Sequence, residues 1–188
     1  YRPLSVSSER PIRKAIFPAS LDPIHLGHCD IARRAAEIFD EVIVGVYDKP
    51  ATKSRMLFSA EERLQMAREA LAPIPRLRVA TYSGLTVDFA KEVGARFIVR
   101  GLRVFSDFEL EFRMALANRR LNPDIEMVAL ITSENHMHLA SSTIREIASL
   151  GGNVSTMVPP NVEAALLAHF AKLGDDARDA VETVSLRD

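Results

Sequence analysis

The chain has 188 residues, 47% hydrophobic and 26% charged, with a formal net charge of -1. That is the make-up of an ordinary globular protein, with apolar material for one core. The near-neutral charge excludes capture of nucleic acid by a global basic field, and a single cysteine, Cys29, excludes an internal disulfide or a thiolate metal cluster. No run approaches the roughly 18 apolar residues of a membrane span. The opening YRPLSVSSERP has none of the apolar stretch of a signal peptide, so a soluble, cytoplasmic protein is expected.

Residues 1–11, rich in Ser, Arg and Pro, read as a flexible leader. One domain is expected over residues 12–173, and residues 174–188 read as a flexible polar tail. Within the domain, Arg13–Phe17 reads as a strand and Cys29–Phe39 as a helix with an Ala/Ile/Phe stripe. Val42–Tyr47 is a β-branched strand. Ser59 and Glu62 have the spacing of a capping box and open a helix to Leu71. Leu77–Thr81 reads as a strand and Thr86–Val93 as a helix stopped by Gly94. Phe97–Val99 is a short buried strand, Asp107–Leu121 a helix, and Glu126–Ile131 a strand. Helices Ser141–Leu150 and Asn161–Leu173 finish the domain.

Strands alternating with helices predict an α/β fold: a Rossmann-like, doubly wound, parallel five-stranded sheet with helices on both faces. Such a sheet binds ligands beyond the carboxyl ends of its strands, so the residues just past each strand are the candidate ligand contacts.

After the first strand comes Pro18-Ala19-Ser20-Leu21-Asp22-Pro23-Ile24-His25-Leu26-Gly27-His28. Gly27 allows close backbone approach, a helix N-terminus favours an anion, and imidazole N–H groups can donate to phosphate oxygens. The plainer reading is two histidines capping a helix, one of them packed. Zinc is a poorer reading, because no second His/Cys cluster accompanies the pair. After the fourth strand comes Arg100-Gly101-Leu102-Arg103, two guanidinium groups suited to phosphate or simply a solvated loop. After the fifth comes Leu139-Ala140-Ser141-Ser142-Thr143-Ile144-Arg145, an anion cradle or a plain N-cap. Lys49, Lys53 and Arg55 come after the second strand. Four anion-friendly patches at successive strand ends point together to a polyphosphate site.

H-x-G-H after the first strand, with S-S-T-x-R near the end, resembles the H-x-G-H nucleotidyltransferase superfamily. The stretches FSAEER, SGLTVDFAKEVGA, RGLR and DFELEFRMALANRRLNP narrow the resemblance to bacterial phosphopantetheine adenylyltransferases, over about Ala15–Leu173. That family makes dephospho-coenzyme A and pyrophosphate from ATP and 4′-phosphopantetheine, with Mg2+, in coenzyme A biosynthesis. The resemblance implies a homohexamer.

By resemblance, His28 stabilises the transition state at the α-phosphate, with Lys53 (or Lys49) and Arg103 as further catalytic cations. Ser20 contacts both ligands and Leu21 lines the ATP site. Arg100 holds the acceptor phosphate and Thr86 lines the pantetheine arm. Gly101, Leu102, Arg103 and Glu111 hold ATP. His136, Met137, His138, Leu139 and Ala140 close over the triphosphate, with Ser141 and Ser142 best placed to touch it. Magnesium is bound through the phosphates, so no protein metal ligand is implied. Ala19-Ser20-Leu21 stands where the family usually has Gly-Thr-Phe, His25 where it often has Thr, and Ala140 where Ser is common. Two other readings remain: transfer to nicotinate or nicotinamide mononucleotide on the same scaffold, disfavoured by the absence of Trp, and a non-catalytic nucleotide-binding relative.

Overall fold

The computed structural model describes residues 11–48 and 56–173. Strands β1 (Lys14–Ala19), β2 (Glu41–Tyr47), β3 (Leu77–Tyr82), β4 (Phe97–Leu102) and β5 (Glu126–Ile131) form one sheet in the order β3-β2-β1-β4-β5. Every pairing is parallel. Parallel neighbours need crossovers, which helices supply: α1 (Leu26–Ile38), α2 (Ala60–Leu71), α3 (Thr86–Glu92) and α4 (Phe105–Leu121). Helices α5 (Ser141–Ser149) and α6 (Pro160–Leu173) close the chain against the α1/α2 side. The expected doubly wound sheet is therefore present.

Alternation along the central strands builds two cores. Ile16, Ile43 and Ile98 face Val87, Phe89 and Ala90 of α3. Ala15, Phe17, Val42, Val44 and Val46 face the other way, among Ile31, Ala32 and Ala35 of α1 and Met66 and Leu71 of α2. The edge strands β3 and β5 are partly exposed, so only β1 and β2 read as uninterrupted apolar runs. The α4 face is thinly covered: Glu111 is its one buried residue.

Most elements fall where the sequence places them, and two differences matter for the site. Helix α1 begins at Leu26 rather than Cys29, because His25 is its N-cap and H-x-G-H itself forms the first turn. Strand β4 runs to Leu102 rather than Val99: Gly101 and Leu102 stay in register with Leu130 and Ile131. Arg100, Gly101 and Leu102 are thus strand residues, and only Arg103 lies beyond the strand. Ser59 and Glu62 form the expected capping box, and Gly94 takes the left-handed φ of 69° that stops α3. The expected leader and tail lie outside the described residues, apart from Pro11.

The strand order reverses between β1 and β4, and pairing there is short. It covers only Ala15↔Phe97 and Ile16↔Ile98, whereas β1 stays paired to β2 as far as Ala19↔Val46. Pro18 has no N–H to contribute to a ladder. The carboxyl ends of β1 and β4 part, and a crevice opens at the topological switch point, where such sheets take ligands.

Candidate active site

One wall of the crevice is the β1–α1 turn. The His25 ring caps α1: its Nδ1 accepts the amides of Gly27 at 3.1 Å and His28 at 3.4 Å. In return the His25 amide donates to His28 Nδ1 at 3.3 Å. The rings stack with centroids 3.7 Å apart. The Leu26 and Cys29 amides are taken by the carbonyls of Met157 and His25. The first-turn amides of α1 are therefore already satisfied by protein, and the plainer reading, a capping histidine, holds for His25. What this turn offers a ligand is the His28 ring, whose Nε2 meets no partner among the described residues. Burial first, then Arg103 and His136, lower the pKa of His25 from its usual 6.5 to about 3. Burial first, then His25, Arg103 and Arg100, hold His28 well below 6.5. Both rings are neutral at physiological pH, so His28 can donate from Nε2 without carrying a charge.

The opposite wall carries the two arginines. Arg100 gives Nε and Nη2 to Glu111 Oε1, at 2.9 and 2.6 Å, and Nη1 to the Pro18 carbonyl at 2.6 Å. The last bond bridges the gap between β4 and β1. Arg103 binds Asp107 through its amide and Nε, at 3.0 and 3.2 Å, and the Leu139 carbonyl through Nη1 at 2.9 Å. Burial alone would raise the Asp107 pKa, but the Arg103 amide and guanidinium hold it below the usual value. A guanidinium has five N–H donors, and in each arginine both terminal nitrogens keep one uncommitted N–H. Each terminal nitrogen thus has a donor left for a phosphate oxygen. Glu111, expected on ATP by resemblance, spends Oε1 on orienting Arg100.

The third side is the approach to α5. Ala140 is an N-cap without a side-chain bond, and the first amide of α5 to find an acceptor is Ile144, on Ala140. The amides of Ser141, Ser142 and Thr143 are left open, an anion site of the kind first looked for at α1. The Ser141 hydroxyl is spent on the Pro23 carbonyl at 2.9 Å, which ties α5 to the β1–α1 turn and leaves Ser142 the freer hydroxyl. His136 sits in a short 3-10 turn, Glu134–His136, with Nδ1 2.8 Å from Ser133 Oγ. Met137 and His138 are exposed. Leu139, like Leu21, is 2% exposed, and Leu102 is also buried, so these leucines could meet a ligand only through backbone. Leu21 is at φ 51°, a left-handed turn residue. Ser20 is exposed beside it.

Gly101 has a packing role: a Cβ there would come within 3.1 Å of Ile31, so the glycine lets α1 lie close to β4. Thr86 begins α3 on the β3 side, its hydroxyl 3.1 Å from that of Tyr82. Lys49, Lys53 and Arg55 lie outside the described residues.

Sequence reasoning passed over three residues that assemble these walls. Arg63 is 2% exposed and donates to three carbonyls: Ser20 at 2.5 Å, Tyr47 at 2.9 Å and Phe58 at 3.1 Å. Buried Asp22 accepts the amides of Leu57 and Phe58 at 2.9 and 3.0 Å. Arg145 donates to the Asp22 carbonyl and sits 3.4 Å from its carboxylate. A signal existed for Arg63: it shares the buried stripe of α2 with Met66, Ala67 and Leu71, and a charge on an apolar stripe calls for buried partners. Arg145 stood in the S-S-T-x-R motif, but nothing local paired it with Asp22, 123 residues earlier.

Among the described residues no group of three or more His, Cys, Asp or Glu could hold a metal ion, and no helix is long and apolar enough to cross a membrane. An open groove of about 710 Å³ lies between α3 and the end of α4, near Lys91, Arg96 and Leu121, and none of the crevice residues lines it.

A cytidylyltransferase-like family model matches residues 16–147. A phosphopantetheine adenylyltransferase of Roseiflexus sp. (strain RS-1) is 51% identical over 156 residues, 82% of this chain and 96% of the relative. The enzyme of that name from Chloroflexus aggregans is 48% identical over 87% of this chain and all of its own length. Among solved structures, a candidate nicotinate-nucleotide adenylyltransferase from Vibrio parahaemolyticus matches with a TM-score of 0.60 at 17% identity, over 84% of this chain and 99% of its own. A lipopolysaccharide core biosynthesis protein from Thermoplasma volcanium matches with a TM-score of 0.51 at 18% identity, over 66% of this chain and all of its own. At such identities the structures speak for the fold alone.

Proposed function

Because the chain belongs to the cytidylyltransferase-like family and, within it, to the phosphopantetheine adenylyltransferases, we propose that it transfers the adenylyl group of ATP to 4′-phosphopantetheine, releasing pyrophosphate and forming dephospho-coenzyme A. The observation that carries this reading is the convergence of His28, Arg100, Arg103 and the open first turn of α5 on the switch-point crevice. Arg103 links α5 to the crevice through Leu139, and both arginines lie near enough to act on His28.

The chemistry needs no general base. An oxygen of the acceptor phosphate, already anionic, attacks the α-phosphorus of ATP. The bond from that phosphorus to the bridging oxygen breaks, and pyrophosphate leaves with the electron pair. Catalysis then rests on alignment and on stabilising charge around the transferred phosphorus. His28 Nε2–H serves the α-phosphate, Arg100 holds the acceptor phosphate, and Arg103 with the Ser141–Thr143 amides holds the β- and γ-phosphates. Lys53 is assigned to the same charge by resemblance, as is Ser20 to both ligands. The cationic and amide donors here suit phosphates rather than a metal ion, so Mg2+ would be held through the phosphates of ATP and would supply charge neutralisation there.

Phe105, Phe108, Leu110, Phe112 and Leu116 of α4 are exposed, Phe105 by 85%. So large an apolar surface on one helix supports burial against further copies of the chain, in the homohexamer implied by resemblance. A cytoplasmic setting is proposed on the lone cysteine and on the substrate class.

The test is pyrophosphate release with ATP and Mg2+, offering phosphopantetheine or a pyridine mononucleotide. Release with phosphopantetheine alone is expected. Release only with the mononucleotide would change the acceptor, and ATP binding without turnover on either would make the chain a non-catalytic relative.

A further inference from the structure

We propose that His25 is a positioning residue for adenylyl transfer: its imidazole Nδ1, by taking the Gly27 and His28 amides, seats the first turn of α1 so that His28 keeps its proton on Nε2, facing the transferred phosphate. An N-cap normally offers a small side-chain oxygen. Here a ring nitrogen does the same work, and it can do so only while Nδ1 is unprotonated. The box is reciprocal. Because the His25 N–H donates to His28 Nδ1 at 3.3 Å, that nitrogen must be an acceptor, and the one proton of neutral His28 belongs on Nε2.

Gly27 makes room for the arrangement. A Cβ at this position would come within 3.0 Å of the His25 ring. The three named positions of H-x-G-H thus have separate tasks: the first caps, the glycine clears space for the capping ring, and the last meets the ligand. The titratable and charged groups around His25 are His28 from its own turn, Arg103 beyond β4 and His136 from the 3-10 turn. None is a carboxylate, so nothing there favours a charged His25, and the cap persists through neutral pH.

The kinetic side of this inference rests on the adenylyl-transfer reading; the tautomer side does not. The experiment uses the whole chain with 15N-labelled histidine, and reads long-range imidazole spectra from about pH 5.5 to 8 beside pyrophosphate release from ATP, Mg2+ and phosphopantetheine. Wild type, His25→Ala, His25→Thr and His25→Phe are compared. Thr can cap but cannot stack on His28, whereas Phe can stack but cannot cap. Wild type and His25→Thr should hold His28 as one Nε2–H tautomer. In the Ala and Phe variants the tautomers should mix, with kcat down on the order of tenfold and KM for ATP within about threefold. A single Nε2–H tautomer with unchanged kcat in His25→Ala would overturn the inference. Should that variant not fold, equal spectra and kcat for Thr and Phe would overturn it equally well. A wild type that shows the expected tautomer but releases no pyrophosphate would sink the adenylyl-transfer reading instead.

Discussion

Arg100 and Glu111 meet at a single carboxylate oxygen: Nε and Nη2 both reach Oε1, at 2.9 and 2.6 Å. Glu111 is buried, and the bond fixes the plane of the guanidinium while leaving one N–H on each terminal nitrogen uncommitted. Glu111→Gln keeps the shape but replaces a charged acceptor with a neutral one. The difference between charge-assisted and neutral hydrogen bonds is about 1 kcal/mol or a little more. KM for phosphopantetheine should rise on the order of tenfold, with KM for ATP changing less. Steady-state kinetics with each substrate varied checks this, and equal effects on both would contradict a role confined to Arg100.

His28→Ala removes the acceptor of the His25 amide but keeps the His25 bonds to the Gly27 and residue-28 amides, so it should fold and bind ATP nearly as the wild type does. Its loss is one donor to the transferred phosphate, which costs on the order of 10²–10³ in kcat. Single-turnover rates beside equilibrium ATP binding separate the two. Near-normal turnover would remove His28 from the chemistry.

Arg63 serves three backbone carbonyls from a buried position. Phe58 is served by Nε and Ser20 and Tyr47 by Nη1, and one ammonium cannot stand at both places, so Arg63→Lys leaves at least one buried carbonyl unpaired at about 1–3 kcal/mol. The thermal midpoint should fall by several degrees or more. Because Ser20 is one of the three, kcat per folded molecule should fall as well, which a purely stabilising residue would not produce.

The buried histidines make stability depend on pH in a definite direction. The folded pKa of His25 is lowered to about 3 and that of His28 also lies below 6.5, so unfolded chains take up protons that the folded chain refuses. Their contribution is fully present above about pH 6.5 and is lost progressively as the pH falls toward 3, by at most about 1.4 kcal/mol per pH unit for each group. Chemical denaturation at pH 7 and pH 5 should show lower stability at pH 5, and His25→Thr should flatten the difference.

Much of this was legible in the sequence because it rests on local rules. Alternating apolar runs and helical stripes gave the element order, and Ser59 and Glu62 through their side chains and Gly94 through its backbone marked element ends. The Pro18–His28 and Arg100–Arg103 patches were visible because both lie at the carboxyl end of a strand. What stayed hidden depends on partners far along the chain. Whether Arg100 ends a strand or begins a loop is decided by pairing with β5. Whether helix amides are free for an anion is decided by which side chain reaches them, so the open amides are at α5 and not at α1. The use of Glu111 on Arg100, and of Ser141 on Pro23, could not be read from either segment alone.

The bond between Asp22 and Arg145 joins residues 123 positions apart. On a ribosome, the first turn of the site is therefore made long before the residue that secures it. A nascent chain halted ahead of α5 could build the sheet, yet Asp22 would lack Arg145, and the Ser141–Thr143 amides would not exist. Nucleotide capture thus becomes a property of the finished domain, and truncated chains should neither bind nor sequester ATP.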